Sequence, residues 1–283
     1  MLGKAALLAG IVAMSGCSAI ANRAADRLSS SLTAGVLDQD DTETVAAGLP
    51  AYLILLDGFI ASDPDNAGLL FAGARMYSAY ASNFVLDQER RKRLADRGFD
   101  YARRAMCVRD RRFCAAFDGG DFARFDALIS AQKASATENL YVLATSWIGW
   151  LQADAGDWAR IADLPRIAAV FARVVAVDPN YDRGNVQAYL GVLDCLRPES
   201  LGGRPQRGID HLNAAFEFSQ GQNLMPKTLL AEYCARLLFD ARLHDRVLGE
   251  VLAADPHAPG LTLANTIARQ RARELLETGK DYF

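Results

Sequence analysis

The sequence predicts an all-α fold, arranged as an α-α superhelix in which helical hairpins stack into a solenoid. Three observations carry that expectation. Nearly every stretch beyond residue 42 sets apolar residues at the 3.6-residue period of an amphipathic helix, and none alternates as a half-buried strand does. Hydrophobic residues make up 51% of the chain, enough for a sizeable core. Asp-Pro closes helices at Asp63, Asp178 and Asp255, at intervals that fit three and two units of about 38 residues. A proline at such a point blocks one helix and favours the start of the next.

Taken in order, the first element stands apart from the helical body. "MLGKAALLAGIVAMSGC" carries one positive charge at Lys4, an apolar run from Ala5 to Met14 and small residues before Cys17. The run is shorter than the roughly 20 residues that span a bilayer, so it reads as a secretion signal. Its last four residues resemble a bacterial lipobox, with Met14 in place of the usual Leu, Val or Ile. Cleavage before Cys17 would make residues 1–16 the signal peptide and Cys17 the lipid-attachment site. Residues 17–42 then form a leading segment and residues 43–283 the helical domain. Acyl chains on Cys17 would tether the protein to a membrane, and Ser18 after the cysteine resembles the pattern for the outer membrane.

The helical periodicity predicts helices over 43–61, 66–85, 89–107, 121–133, 138–155, 164–177, 185–196, 205–219, 224–240, 242–254 and 260–278. In the second, Leu70, Gly73, Tyr77, Tyr80 and Phe84 share one side. The fifth, with the turn after it, holds Tyr141, Trp147, Trp150 and Trp158, and burial between neighbouring hairpins is the expected use of these rings. Ile167, Val170, Phe171 and Val174 form the face of the sixth, Val186, Leu190, Leu193 and Leu196 that of the seventh. Leu230, Tyr233, Cys234, Leu237 and Leu238 do the same in the ninth. At the unit of about 38 residues, the hairpins are somewhat longer than the 34-residue tetratricopeptide (TPR) repeat.

Charge and motifs exclude several classes of chemistry. Lys and Arg number 31 against 34 Asp and Glu, and no basic block with interleaved aromatics occurs, so nucleic acid is not expected as a partner. Gly203 to Gly208 has the spacing of a phosphate loop. Ile209 and Asp210 stand where Lys and Ser or Thr are required, and a helix, not a strand, precedes it. The segment reads as a turn in which Pro198 ends a helix, Gly202 and Gly203 supply permissive φ angles and Pro205 opens the next helix. Replacing Gly203 by Val is therefore expected to strain the turn by about 1–2 kcal/mol or more. The three histidines are scattered, and neither a metal nor a cofactor is expected. "SAQK" at 130–133 lacks the companions of a serine nucleophile, and "DGGD" at 118–121 reads as a turn with Asp121 as a helix cap. Cys107 and Cys114 would lie about 10 Å apart on an unbroken helix, too far to bond, but a turn in "VRDRR" would bring them together, so that disulfide stays open. Cys195 and Cys234 read as core residues.

Two functional readings other than the leading one follow from the residues. Glu199 in "PES" resembles the general acid of lytic transglycosylases, but the downstream motifs of that family are missing and a Pro/Gly turn is too solvated for such an acid. A general TPR lipoprotein scaffold for envelope assembly is the stronger of the two. "GLPAYLILLDGFIASDPDNAGLLFAGARMYSAYASNFV", "PESLGGRPQRGIDHLNAAFEFSQGQNLMPKTLLAEYCAR" and "VLAADPHAPGLTLANTIARQRARELLETGKDYF" together resemble the T component of TPR-associated TRAP transporters, across nearly all of the mature chain. The most distinctive parts are Ser-Leu-Gly-Gly at 200–203, Ala-Glu-Tyr at 231–233 and Asp-Tyr-Phe at 281–283. Arg204 departs from the acidic residue that often follows the paired glycines. The resemblance implies a periplasm-facing lipoprotein with a TPR-like fold, assembled as a homotrimer with a pore through each subunit. It implies binding to the P component, the TRAP-type periplasmic solute-binding protein, and assistance in uptake of an organic-acid or hydrophobic solute. It implies no catalysis, and it assigns no residue to partner binding.

Replacing Cys17 by Ser is expected to move the protein from the membrane pellet to the soluble periplasm, because the lipobox then has no acceptor for acyl chains. Unchanged pelleting after cell fractionation would contradict the anchor.

Overall fold

The computed structural model describes residues 31, 33–118 and 120–283; residues 1–16, expected as a signal peptide, and Cys17 lie outside them. Thirteen helices and no strand are found among the described residues. They are α1 (Thr42–Ser62), α2 (Ala67–Phe84), α3 (Gln88–Arg109), α4 (Arg111–Asp118), α5 (Phe122–Ser130), α6 (Thr137–Ala153) and α7 (Trp158–Ile161). There follow α8 (Leu164–Val177), α9 (Asn185–Asp194), α10 (Pro205–Phe218), α11 (Met225–Leu229), α12 (Ala241–Ala253) and α13 (Thr262–Tyr282). A π-helical turn over Leu230–Ala235 continues α11. All eleven helices expected from the sequence are present, and α4 and α7 are additions.

Local chemistry sets the helix starts. Side chains of Asp41, Asn66, Asp87, Asp121, Asp157 and Asp240 each accept a bond from a backbone N–H in the first turn of the helix they precede. These bonds satisfy donors that a helix leaves open. Asp63 and Asp178 cap the C-termini of α1 and α8, where the following proline stops the helix. Asp255 lies one residue beyond the cap of α12. Asp178 and Asp255 then repeat one geometry, each carboxylate accepting from the N–H two residues on, at 3.0 and 2.9 Å. These corners touch: Arg183 donates to the Pro259 carbonyl at 2.8 Å, and the Gly260 N–H donates to Asp38 beside α1.

Neighbours in sequence pack together from α1 to α5 and from α8 to α10, most closely α2 on α3; α6 packs on α2, α3 and α8, α5 packs on α8, and α13 returns to touch α1. Two cores result. The first is centred on Trp147, the largest fully buried side chain, whose ring stacks on Phe99 at 5.2 Å and meets Phe117 and Phe125 edge-on at 5.4 and 5.8 Å. The second joins α9 to α13 through Leu212, Cys234, Leu248, Val251 and Ala268. Helix α9 belongs to both, giving Val186 to the first and Ala188 to the second.

The sequence reading is corrected at five places. Trp158 is not buried: it is 82% exposed on the one-turn helix α7, while Tyr141 and Trp150 are half-buried. On α9 the buried face is Val186, Ala188, Gly191 and Val192, whereas Leu190 and Leu193 are half-buried and Leu196 lies exposed beyond the helix end. Leu238 is exposed at the end of its helix. Cys195 and Cys234 are core residues, and they are also bonded to each other, with S–S 1.98 Å.

The fifth correction concerns the turn. Gly202 has φ +80°, in the left-handed region, but Gly203 does not. Gly203 is required for a different reason: a Cβ there would stand 1.6 Å from the carbonyl oxygen of Arg197. The turn is closed by Gly203 N–H to Pro198 O at 3.0 Å and by Arg204 N–H to Asp194 O at 2.9 Å. The second glycine of the phosphate-loop spacing serves helix contact. Gly208 of α10 faces Gly191 of α9 so closely that a Cβ on either would meet the other's carbonyl at 2.7–2.8 Å.

Gly203→Ala is expected to cost about 3 kcal/mol or more, because the backbone of Arg197 must shift, and Gly202→Ala about 1–2 kcal/mol from φ alone. Thermal unfolding checks the order; equal losses would contradict the steric account.

Candidate functional site

The turn that carries the Ser-Leu-Gly-Gly motif offers no catalytic pocket. Glu199 is exposed on a single 3₁₀ turn, Glu199–Leu201. Around the turn the charges are spent on holding α9 to α10: Arg207 donates from Nε and Nη2 to both oxygens of Asp194, each at 2.6 Å. His211 donates from Nδ1–H to the Gln187 amide oxygen at 2.7 Å, and its burial holds its pKa below the ordinary histidine value. Ala231 and Tyr233 lie in the π-helical turn, where Glu232 pairs with Arg271 of α13. Tyr282 and Phe283 fold back: Arg236 covers the Tyr282 ring at 5.0 Å, and Phe283 meets the buried His244 ring at 5.0 Å. The three motifs singled out in the sequence are therefore packing and turn devices.

Concave surface is found elsewhere. A cleft of about 310 Å³ opens beside the first Asp-Pro corner. Pro64 and Asp65 form one wall, Arg103, Arg104, Cys107 and Val108 of α3 another, and Cys114 and Phe117 of α4 the third. Helix α3 stops at Asp110, whose N–H bonds Met106 O and whose carboxylate then accepts from Arg112 N–H. That break turns the chain, leaving Cys107 and Cys114 with Cα atoms 5.2 Å apart and their sulfurs joined. An unbroken helix would have kept them near 10 Å. Arg104 is positioned by Nη2 to the Pro64 carbonyl at 3.1 Å and lies over the Tyr101 ring.

The adjoining helix pair is fixed by a polar knot. Asp57 of α1 accepts from Tyr77 Oη, Tyr101 Oη and Arg97 Nη1, each at 2.7 Å. Burial first, then the neighbouring carboxylate, raises the pKa of both tyrosines. Among the described residues, no group of three or more His, Cys, Asp or Glu is arranged to hold a metal ion.

Chemically, the cleft joins the guanidinium groups of Arg103 and Arg104 and the Asp65 carboxylate to the apolar Val108 and Phe117. Arg104 already serves the Pro64 carbonyl, and a guanidinium has five donors, so a carboxylate with a hydrocarbon part suits the remaining ones. It holds no nucleophile beside a base. Sequence reading passed over Arg103 and Arg104; their place one turn before Cys107 was the available signal, and the break at Asp110 is what turns it into a cleft.

A family model for the TRAP transporter T-component matches residues 38–283. The chain belongs to that family. The match takes in every helix from α1 to α13, with the cleft and the glycine turn. The T-component is also similar to an uncharacterized protein of Treponema pallidum (strain Nichols), 24% identical over 267 residues, which span 87% of this chain and 81% of the relative. Membership of a transporter-component family points to a role in transport and not to catalysis.

The two cysteine pairs differ in access. Cys195 and Cys234 are at most 2% exposed, whereas Cys107 and Cys114 are half-buried at the cleft. Mild thiol reductant followed by alkylation is expected to label Cys107 and Cys114 first, because exchange needs access to sulfur. Mass spectrometry showing simultaneous labelling of both pairs would contradict this.

Proposed function

We propose that this T-component is a lipoprotein accessory subunit of a TRAP transporter, anchored through Cys17 and facing the periplasm at the outer membrane. It binds the solute-binding P component and assists uptake of an organic-acid solute. In this reading residues 1–16 are the signal peptide, residues 17–42 the tether and residues 43–283 a TPR-like superhelix that assembles as a homotrimer. The observation that carries the reading is the family match over residues 38–283. The arginine-lined cleft supports the organic-acid class over a purely hydrophobic solute, since two guanidinium groups favour a carboxylate.

The test is uptake of a radiolabelled solute of the transporter in a strain lacking this gene, complemented by the parent chain or by Arg103→Glu with Arg104→Glu. Deletion is expected to lower uptake, and the charge-reversed chain to restore it about tenfold less well, as loss of charge-assisted bonds implies. Normal uptake in the deletion strain would contradict the accessory role. Full rescue by the reversed chain would remove the cleft from it.

A further inference from the structure

Among the described residues, helix α1 has an outer face that is largely uncovered; at its start Gly48 borders a concavity shared with Gly35, Val36 and Gln39. Its inner side is committed: Val45, Leu53 and Ile60 are buried, and Asp57 is held by Tyr77, Tyr101 and Arg97. On the outer side Ile54, Leu55 and Phe59 are 73%, 53% and 48% exposed. Glu43 and Asp57 are the only charged residues between Thr42 and Ser62, so from Thr44 to Ser62 the outer face carries no charge. By length and composition this helix is apolar enough to cross a membrane. A helix of that length is about 30 Å long, so one bare face reaches the size at which apolar patches mark interaction sites.

The relief of this face is specific. Ala47, Gly48 and Ala51 form a recessed shelf in its N-terminal half, and Ile54, Leu55 and Phe59 a ridge in its C-terminal half. A Cβ added at Gly48 or Gly58 would meet nothing within 4 Å, so internal packing gives no reason for glycine there. Glycine inside a helix is less stable than alanine by about 0.5–1 kcal/mol, a cost with a use only where another backbone comes close.

We infer that the outer face of α1 is the surface through which copies of this chain meet, the ridge of one seating on the shelf of the next. The inference rests on the self-association proposed above and assigns it a place. Three features select a second copy as the occupant. Ridge and shelf lie on one face, so each copy supplies what its neighbour needs. An uncharged apolar face is the composition of homo-oligomer interfaces, whereas transient encounters use surfaces as polar as the rest of a protein. Helices that lie on lipid carry Lys and Arg beside their apolar face, and α1 contains neither.

The test is sedimentation equilibrium of the full chain carrying Cys17→Ser, with and without two further changes. Gly48→Leu fills the shelf where its own chain leaves space, and Ala51→Glu with Ile54→Lys charges the face. Each is expected to weaken self-association about 30-fold or more without lowering Tm. An associating parent whose variants associate equally well overturns the α1 assignment and leaves self-association standing. A parent that stays monomeric at micromolar concentration overturns both. Binding of the parent to phosphatidylethanolamine–phosphatidylglycerol vesicles that the variants lose, with self-association unchanged, also overturns the assignment and gives the face to lipid.

Discussion

The indole of Trp147 is the constraint on which the first half of the molecule depends. It is buried to 1% and receives rings from three other helices: Phe99 from α3, Phe117 from α4 and Phe125 from α5. Its one polar atom, Nε1, donates to Asp163 at the start of α8, at 3.1 Å. Burial raises the pKa of that carboxyl, and the indole bond acts against the rise. A buried aromatic of this kind needs both its area and its N–H satisfied. Five helices are therefore oriented by one side chain. Phe117 also lines the arginine cleft, so the wall that receives a ligand is continuous with the wall that seats Trp147. The disulfide from Cys107 to Cys114 pins α4 to α3 along the same cleft.

The second half is built by close backbone approach more than by large rings. Gly191 and Gly208 let α9 and α10 nearly touch, the Asp194–Arg207 pair locks the ends of those helices, and Cys195 joins Cys234 across the core. Sequence motifs that invite an enzymatic reading, the glycine spacing and Glu199, are consumed by this construction. Among the described residues, the cleft beside Pro64 and the outer face of α1 are the surfaces whose shape stands out.

Much of the fold was legible because helix formation is local. Apolar period, Asp and Asn caps and the Asp-Pro stops were enough to locate eleven helices. What was not legible depended on contacts far apart in sequence. Cys195 and Cys234 are 39 residues apart, and nothing local marks them as partners. Gly203 looked like a conformational glycine, and only the position of the Arg197 carbonyl shows that it is a steric one. Leu196 matched the period of α9, but the helix ends at Asp194 and leaves it in solvent. Trp158 was grouped with the core aromatics by its type, yet it follows the turn after α6, where the chain leaves the core. The cleft was hidden for a related reason: Arg103, Pro64 and Phe117 come from three elements, and only the break at Asp110 sets them around one space.

The central claim is that this T-component acts by binding a solute receptor. Isothermal titration of the purified receptor from its own transporter into the Cys17→Ser chain tests that most directly. The account predicts saturable heat with fixed stoichiometry. Absence of a complex at the highest soluble concentrations, by heat and by sedimentation, would contradict it.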